Sequence, residues 1–187
     1  MSKIRLALAG IALMLATAAA AQETPQVQTY SQNEILREIE QAFGEGAEGL
    51  ADIVARAFED NGEPNAFIAG NEVAAALGLG IRYGKGALQM KRGDEREVYW
   101  QGPSVGLDAG ADVTKVFVLV YDLARAEDLF QRFPGVGGSL YFVGGVGMNY
   151  LRADGTTIAP IRLGAGWRQG VNIGYMDFTR EASVIPF

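Results

Sequence analysis

The sequence predicts a mainly β fold with N-terminal helices (α+β), in the form of a small, roughly eight-stranded antiparallel β-barrel. Three observations lead there. Apolar residues recur at helical spacing only between residues 31 and 60. From Gly62 onward 21 of the 126 residues are glycine, and Val, Ile, Tyr and Phe fall in short runs between turn signals, which is the grammar of antiparallel strands. Glycine weakens a strand unless a bulge, a sharp coil or a barrel corner requires it. Its frequency therefore favours a strongly bent sheet closing on itself, with side chains filling the interior. A β-sandwich is the competing architecture.

Residues 1–21 read as a cleavable signal peptide. Lys3 and Arg5 precede an apolar run from Leu6 to Ala16, and Ala19-Ala20-Ala21 forms a small-residue cleavage segment before Gln22. The apolar core is shorter than the ~20 residues of a spanning helix, and no Cys is present to carry a lipoprotein anchor. The expected address is the periplasm, as a soluble protein that does not span the membrane. Residues 22–30 are polar and aperiodic and read as a flexible leader, and residues 31–187 read as one domain.

Within that domain, Ser31 and Glu34 form a capping box ahead of Ile35, Ile39, Ala42 and Phe43. A second helix carries Leu50, Ile53, Val54, Ala57 and Phe58 and stops at Asn61-Gly62. Strands are expected near 66–72, 79–90, 97–101, 104–111, 114–121, 138–143, 146–152, 157–163 and 167–177. Asp154-Gly155 suits a two-residue hairpin turn, Arg92 to Arg96 a looser one, and the apolar run Val113–Tyr121 a strand covered on both faces. A helix is expected from Leu123 to Phe133, capped by Asp122 and ended by Pro134-Gly135.

Composition removes whole classes of chemistry. The chain has no Cys and no His, so thiolate nucleophiles, imidazole-based triads and Cys/His zinc sites are excluded. No Asp-x-Asp-x-Asp-Gly loop supports a calcium site, and no cofactor or metal is expected. The formal net charge is −6, and it grows more negative once Lys3 and Arg5 are cleaved. That sign argues against nucleic acid and against simple docking on anionic lipid.

Several motifs bear on function. Gly78 to Gly86 fails the P-loop spacing, since only three residues separate Gly80 from Gly84-Lys85 where four are needed, and Gly86 follows the lysine. Asp108, Asp112, Asp122 and Asp177 lie in or beside candidate strands, which admits a carboxylate-dependent hydrolase acting on envelope glycan as an alternative, with no catalytic pair assigned. Aromatic residues beside cations suit stacking on a sugar or contact with a lipid headgroup as well as packing. The candidate ligand contacts are Tyr83, Lys85, Trp100, Trp167 and Arg168. The terminal Phe187 is a feature of outer-membrane barrels, but Pro186 spoils that strand, and the broken runs fall short of the ~9–11 residues such strands need.

Asn65-Ala66-Phe67-Ile68-Ala69-Gly70, Gly80-Ile81-Arg82-Tyr83-Gly84-Lys85-Gly86-x-Leu88 and Tyr99-Trp100-Gln101-Gly102-Pro103-Ser104 together resemble the alphaproteobacterial periplasmic envelope-integrity proteins, a family of unknown biochemical function. The likeness continues through Phe133-Pro134-Gly135-Val136, Gly144-Gly145-Val146-Gly147 and Pro160-Ile161-Arg162-Leu163-Gly164. It implies a small, soluble, non-enzymatic periplasmic barrel that keeps the envelope intact under stress. The expected address and this likeness together lead to the expectation that it does so by binding an envelope component (glycan, lipid or protein). It carries over no catalytic or ligand-binding residue. Tyr83 to Leu88, Trp100 with Pro103, and Asp112 to Val120 are also similar to SYLF lipid-binding domains, which implies a lipid-binding module as another alternative. Those domains have basic N-terminal sequence, whereas this chain carries eight acidic residues there against Arg37 and Arg56.

Overall fold

Helical periodicity gives way to strand alternation within a few residues of Gly62, and the computed structural model, which describes residues 27–44, 49–106, 112–163 and 174–182, changes architecture there too. Helix α1 spans Gln32–Phe43. Ser31 Oγ accepts from the Glu34 N–H at 3.4 Å and Glu34 Oε2 accepts from the Ser31 N–H at 2.9 Å, so the expected capping box is formed. Helix α2 spans Leu50–Asn61 and ends at Gly62, whose φ of 75° and N–H bond to Phe58 O close the last turn. Tyr30 is tied down ahead of α1 by its N–H bond to Pro64 O and by edge contact with Phe67.

The strands form one antiparallel sheet: β1 (Ala66–Met90), β2 (Glu95–Gly106), β3 (Asp112–Tyr121), β4 (Arg132–Pro134), β5 (Tyr141–Val143), β6 (Val146–Met148), β7 (Leu151–Ala153), β8 (Thr156–Leu163) and β9 (Tyr175–Thr179). The order is β4-β9-β2-β1-β3-β8-β6-β5, with β7 also on β8. The first arm of β1 pairs with β3, from Ala66 opposite Val120 to Ala74 opposite Asp112. The second arm pairs with β2, from Gly78 opposite Gly106 to Gln89 opposite Glu95. The two arms return against each other, because the Lys91 N–H donates to Asn65 O at 2.9 Å and Gly70 lies against Gly86. On the far side, a bridge between Gly135 and Leu151 and a 2.9 Å bond from Val136 N to Tyr150 O join the residues just after β4 to the start of β7 and the residue before it. The sheet is thus curled and barrel-like, as the glycine content predicts, and not a sandwich of two sheets.

Curling divides the apolar residues into two cores. Inside the wall lie Ala66, Ile68, Leu88, Val98, Trp100, Val116, Val118, Val120, Phe133, Met176 and Phe178. Outside, α1 and α2 cover Phe67, Phe117, Leu119, Tyr121, Met148 and Ile161, with Phe67 stacked on Phe117 at 4.9 Å between centroids. Strand β3 supplies alternate residues to each core, which is why its sequence is almost unbroken in apolar character.

The expected helix over 123–133 does not form. A 3-10 turn, Ala126–Leu129, is followed directly by β4. Asp122 is not an N-cap, since its φ is 58°. Asn65 instead ties the segment, accepting from Leu123 N at 3.1 Å and donating to Leu123 O at 2.8 Å. Leu123, Ala126, Leu129 and Phe133 still enter the inner core, so their helix-like spacing reflects burial along an irregular path. The segments read as 66–72 and 79–90 are one strand, and β2 runs unbroken across the gap read between 101 and 104. Expected strand 146–152 is divided into β6 and β7. Asp154 and Gly155 do form the β7–β8 turn, with φ of 46° and 82°, as that dipeptide predicts.

Candidate binding groove

The inward register of β1 runs through Ala66, Ile68 and Gly70 to Glu72, placing a carboxylate where the pattern calls for an apolar group. Glu72 is buried and fully engaged. Arg162 Nε and Nη2 donate to Oε1 and Oε2, each at 3.1 Å, Arg82 Nη1 donates to Oε1 at 3.2 Å, and Trp100 Nε1 donates to Oε2 at 2.9 Å. Burial pushes the Glu72 carboxyl up, but the two guanidiniums and these hydrogen bonds outweigh it and hold the group below its usual range. Burial and the neighbouring Arg162 bring Arg82 down to about 10, which leaves it charged at neutral pH. Arg82 Nε also donates to Pro103 O at 2.8 Å. This cluster locks both arms of β1 to β2 and β8.

Trp100 sits above it with its indole against Gly84 and Gly70. A Cβ on Gly84 would collide with the indole ring, and one on Gly70 with the Lys85 carbonyl oxygen. Here the glycines have a definite task, since they let the arms of β1 and a buried tryptophan share one layer.

On the opposite, outward face of the same strands lies a groove of about 820 Å³, running over the meeting of the two arms and across β2 to the end of β9. Gly70, Gly84, Gly86 and Trp100 form its floor, with Ala69, Val73 and Ala87 as apolar wall. Since Val98 and Trp100 point inward, Tyr99 and Gln101 point out. Strand register then sets Tyr83 beside Gln101 and Lys85 beside Tyr99. Lys85 Nζ lies 2.7 Å from Glu97 Oε2 and 5.4 Å from the Tyr99 ring centroid, and the Tyr99 hydroxyl donates to Glu97. The Lys85 ammonium, then the Tyr99 hydroxyl, hold Glu97 below the usual carboxylate range.

Gln101 departs from that rim of paired groups. It is only 6% exposed, lines the groove, and its Oε1 is buried with no hydrogen-bond partner among the described residues. An unsatisfied buried acceptor of this kind costs about 1–3 kcal/mol.

Of the five residues singled out from sequence, the structure brings Tyr83, Lys85 and Trp100 to this groove, while Trp167 and Arg168 lie outside the described residues. Trp100 is 2% exposed and contributes floor, so Tyr83 and Tyr99 are the half-buried rings that open to the groove. Sequence reasoning passed over Glu72, Arg82 and Arg162, although a Glu in the inward register of Ala66-x-Ile68-x-Gly70 was a readable signal. Gln101 carried none, because its significance comes from what fails to reach it. Asp177 pairs with Arg132 at 3.2 Å, Asp122 stands at the left-handed position described above, and Asp108 lies outside the described residues.

The family model for envelope integrity protein A matches residues 28–187. The chain belongs to that family. A solved structure, described as a beta-barrel-like, uncharacterized protein from Brucella abortus, is 39% identical and superposes with a TM-score of 0.78, covering 85% of this chain and 99% of its own. That likeness agrees with the curled sheet and ties the fold to an alphaproteobacterial relative. No curated protein matches the chain. Among the described residues, no helix is long and apolar enough to cross a membrane.

Proposed function

We propose that this protein supports envelope integrity from the periplasm as a non-enzymatic binder, holding an envelope component in the groove over the two arms of β1. Membership of the envelope integrity protein A family supports the setting, and the signal-peptide pattern of residues 1–21 supports the address. The observation that carries the reading is the groove itself, about 820 Å³ and walled in part by a buried amide oxygen that nothing among the described residues satisfies. Pockets of about 300–1,000 Å³ with mostly apolar walls and a few placed polar groups are the usual form of a small-molecule site.

Glu97 does not have the electrostatics of a hydrolytic general acid. A hydrolytic acid needs a carboxyl held protonated near neutral pH, and Glu97 is displaced in the opposite direction by Lys85 and Tyr99.

Ala87 lies half-buried in the groove wall and belongs to neither core, so Ala87→Trp fills the groove without disturbing the packing. In a strain lacking the protein, the wild-type chain restores resistance to detergent and envelope-active antibiotics, and Ala87→Trp, expressed and folded to the same level, does not. Full restoration by Ala87→Trp would contradict the proposal.

A further inference from the structure

We infer that the groove's ligand is an uncharged saccharide whose hydroxyl bonds to Gln101, an assignment that rests on the binding role proposed above and narrows it to one chemical class. Three features of the groove converge on it.

The first is the unsatisfied Gln101 Oε1. It calls for a ligand group that donates a hydrogen bond at depth, among apolar neighbours. An acyl chain has no such group and would leave the acceptor buried and unpaired, the costly arrangement. A hydroxyl donates and accepts, so one sugar hydroxyl can serve the carboxamide.

Charge is the second. Lys85 is committed to Glu97 at 2.7 Å, and Glu95 adds a further acidic group to the groove. The rim is therefore net negative, which disfavours phosphate or carboxylate headgroups. Anionic lipid is the ligand this rim suits least.

The third is the distribution of rings and uncharged polar groups. Tyr83 and Tyr99 open into the groove from adjacent strands, Asn71 stands on the first arm of β1 and Thr179 on β9. Flat aromatic faces with hydroxyl and amide groups around them match the alternately apolar faces and polar edges of pyranose rings.

The test is a titration of the protein purified from periplasm, followed by backbone amide shifts, with chitotetraose and cellotetraose as neutral saccharide probes and cis-parinaric acid as the acyl-chain probe. At least one saccharide is expected to bind with shifts centred on residues 83–87 and 99–101. Gln101→Leu is expected to weaken that binding about tenfold or more while leaving the melting temperature unchanged or higher, since it removes a buried polar group that the unliganded protein leaves unpaired. A residue with a merely structural role would show the reverse. Tyr99→Ala weakens saccharide binding too and serves as the second variant should Gln101→Leu fail to fold.

Binding of cis-parinaric acid in the groove without any saccharide binding would overturn the saccharide assignment and leave the groove's binding role standing. Binding of neither class would overturn both. Saccharide binding that both variants leave intact would overturn the assignment to Gln101 and this groove.

Discussion

The outward face of β3 and β8 and the outward face of β1 and β2 are made by the same alternation, yet one became core and the other an open groove. On the first face the outward residues are Phe117, Leu119, Tyr121, Ala159 and Ile161, and α1 and α2 lie across them. On the second they are Asn71, Tyr83, Lys85, Tyr99 and Gln101, and the groove runs over them. Strand geometry offers both faces equally, so the chemistry of the outward register decides which one is buried in the fold and which stays open to a ligand. The helices bury Ile35, Ile39, Ile53 and Val54 against the apolar face, and their acidic exteriors, including Glu40, Asp52 and Glu59, stay in water.

That contrast can be broken from either side. Phe117→Ala removes the ring shared by Phe67 and Phe43 beneath the helices and is expected to destabilise the fold by about 3–5 kcal/mol in denaturant unfolding. Glu72→Gln removes the buried charge that Arg82 and Arg162 share, with an expected loss of about 3 kcal/mol. The same variant carries a pH signature. Glu72 has a lowered pKa in the folded protein, so its contribution is fully present above the unfolded value of about 4.3 and is lost as pH falls below it. Glu34, brought to about 2 by hydrogen bonds from Lys91 and Ser31, acts in the same direction. Wild-type stability should fall as pH drops from about 4.3 towards 2, and Glu72→Gln should fall less steeply over that window.

Smaller effects are expected at the groove. Gly84→Ala drives a methyl into the Trp100 indole and should cost about 1–3 kcal/mol. Lys85→Ala removes a pair whose side chains are 60% and 56% exposed. It should change stability by less than about 1 kcal/mol, while shifting the tyrosine-lined rim that a ligand would meet. A core-like loss for Lys85→Ala would show that the groove rim holds the fold together.

How much of this was legible in the sequence follows the same division. Wherever burial is one-sided and periodic, as in α1 with its capping box or the hairpin at Asp154-Gly155, residue pattern was enough. The excess of glycine pointed correctly to a curled wall, because Gly70, Gly84 and Gly86 are where backbone meets backbone or indole. The segment after Asp122 misled, since Asn65, far away in sequence, supplies the backbone bonds that a helix would have made. Tyr83, Lys85 and Trp100 could be named because aromatic and cationic residues stand out on their own. Gln101 could not, because its isolation is a property of register and packing.

The central claim, that the open face holds an envelope component, is tested most directly by native mass spectrometry of wild type and Ala87→Trp released from periplasm without denaturation. The account expects wild type to carry added non-protein mass that is lost on unfolding, and Ala87→Trp to emerge bare. Equal added mass on both proteins, or none on either, would contradict it.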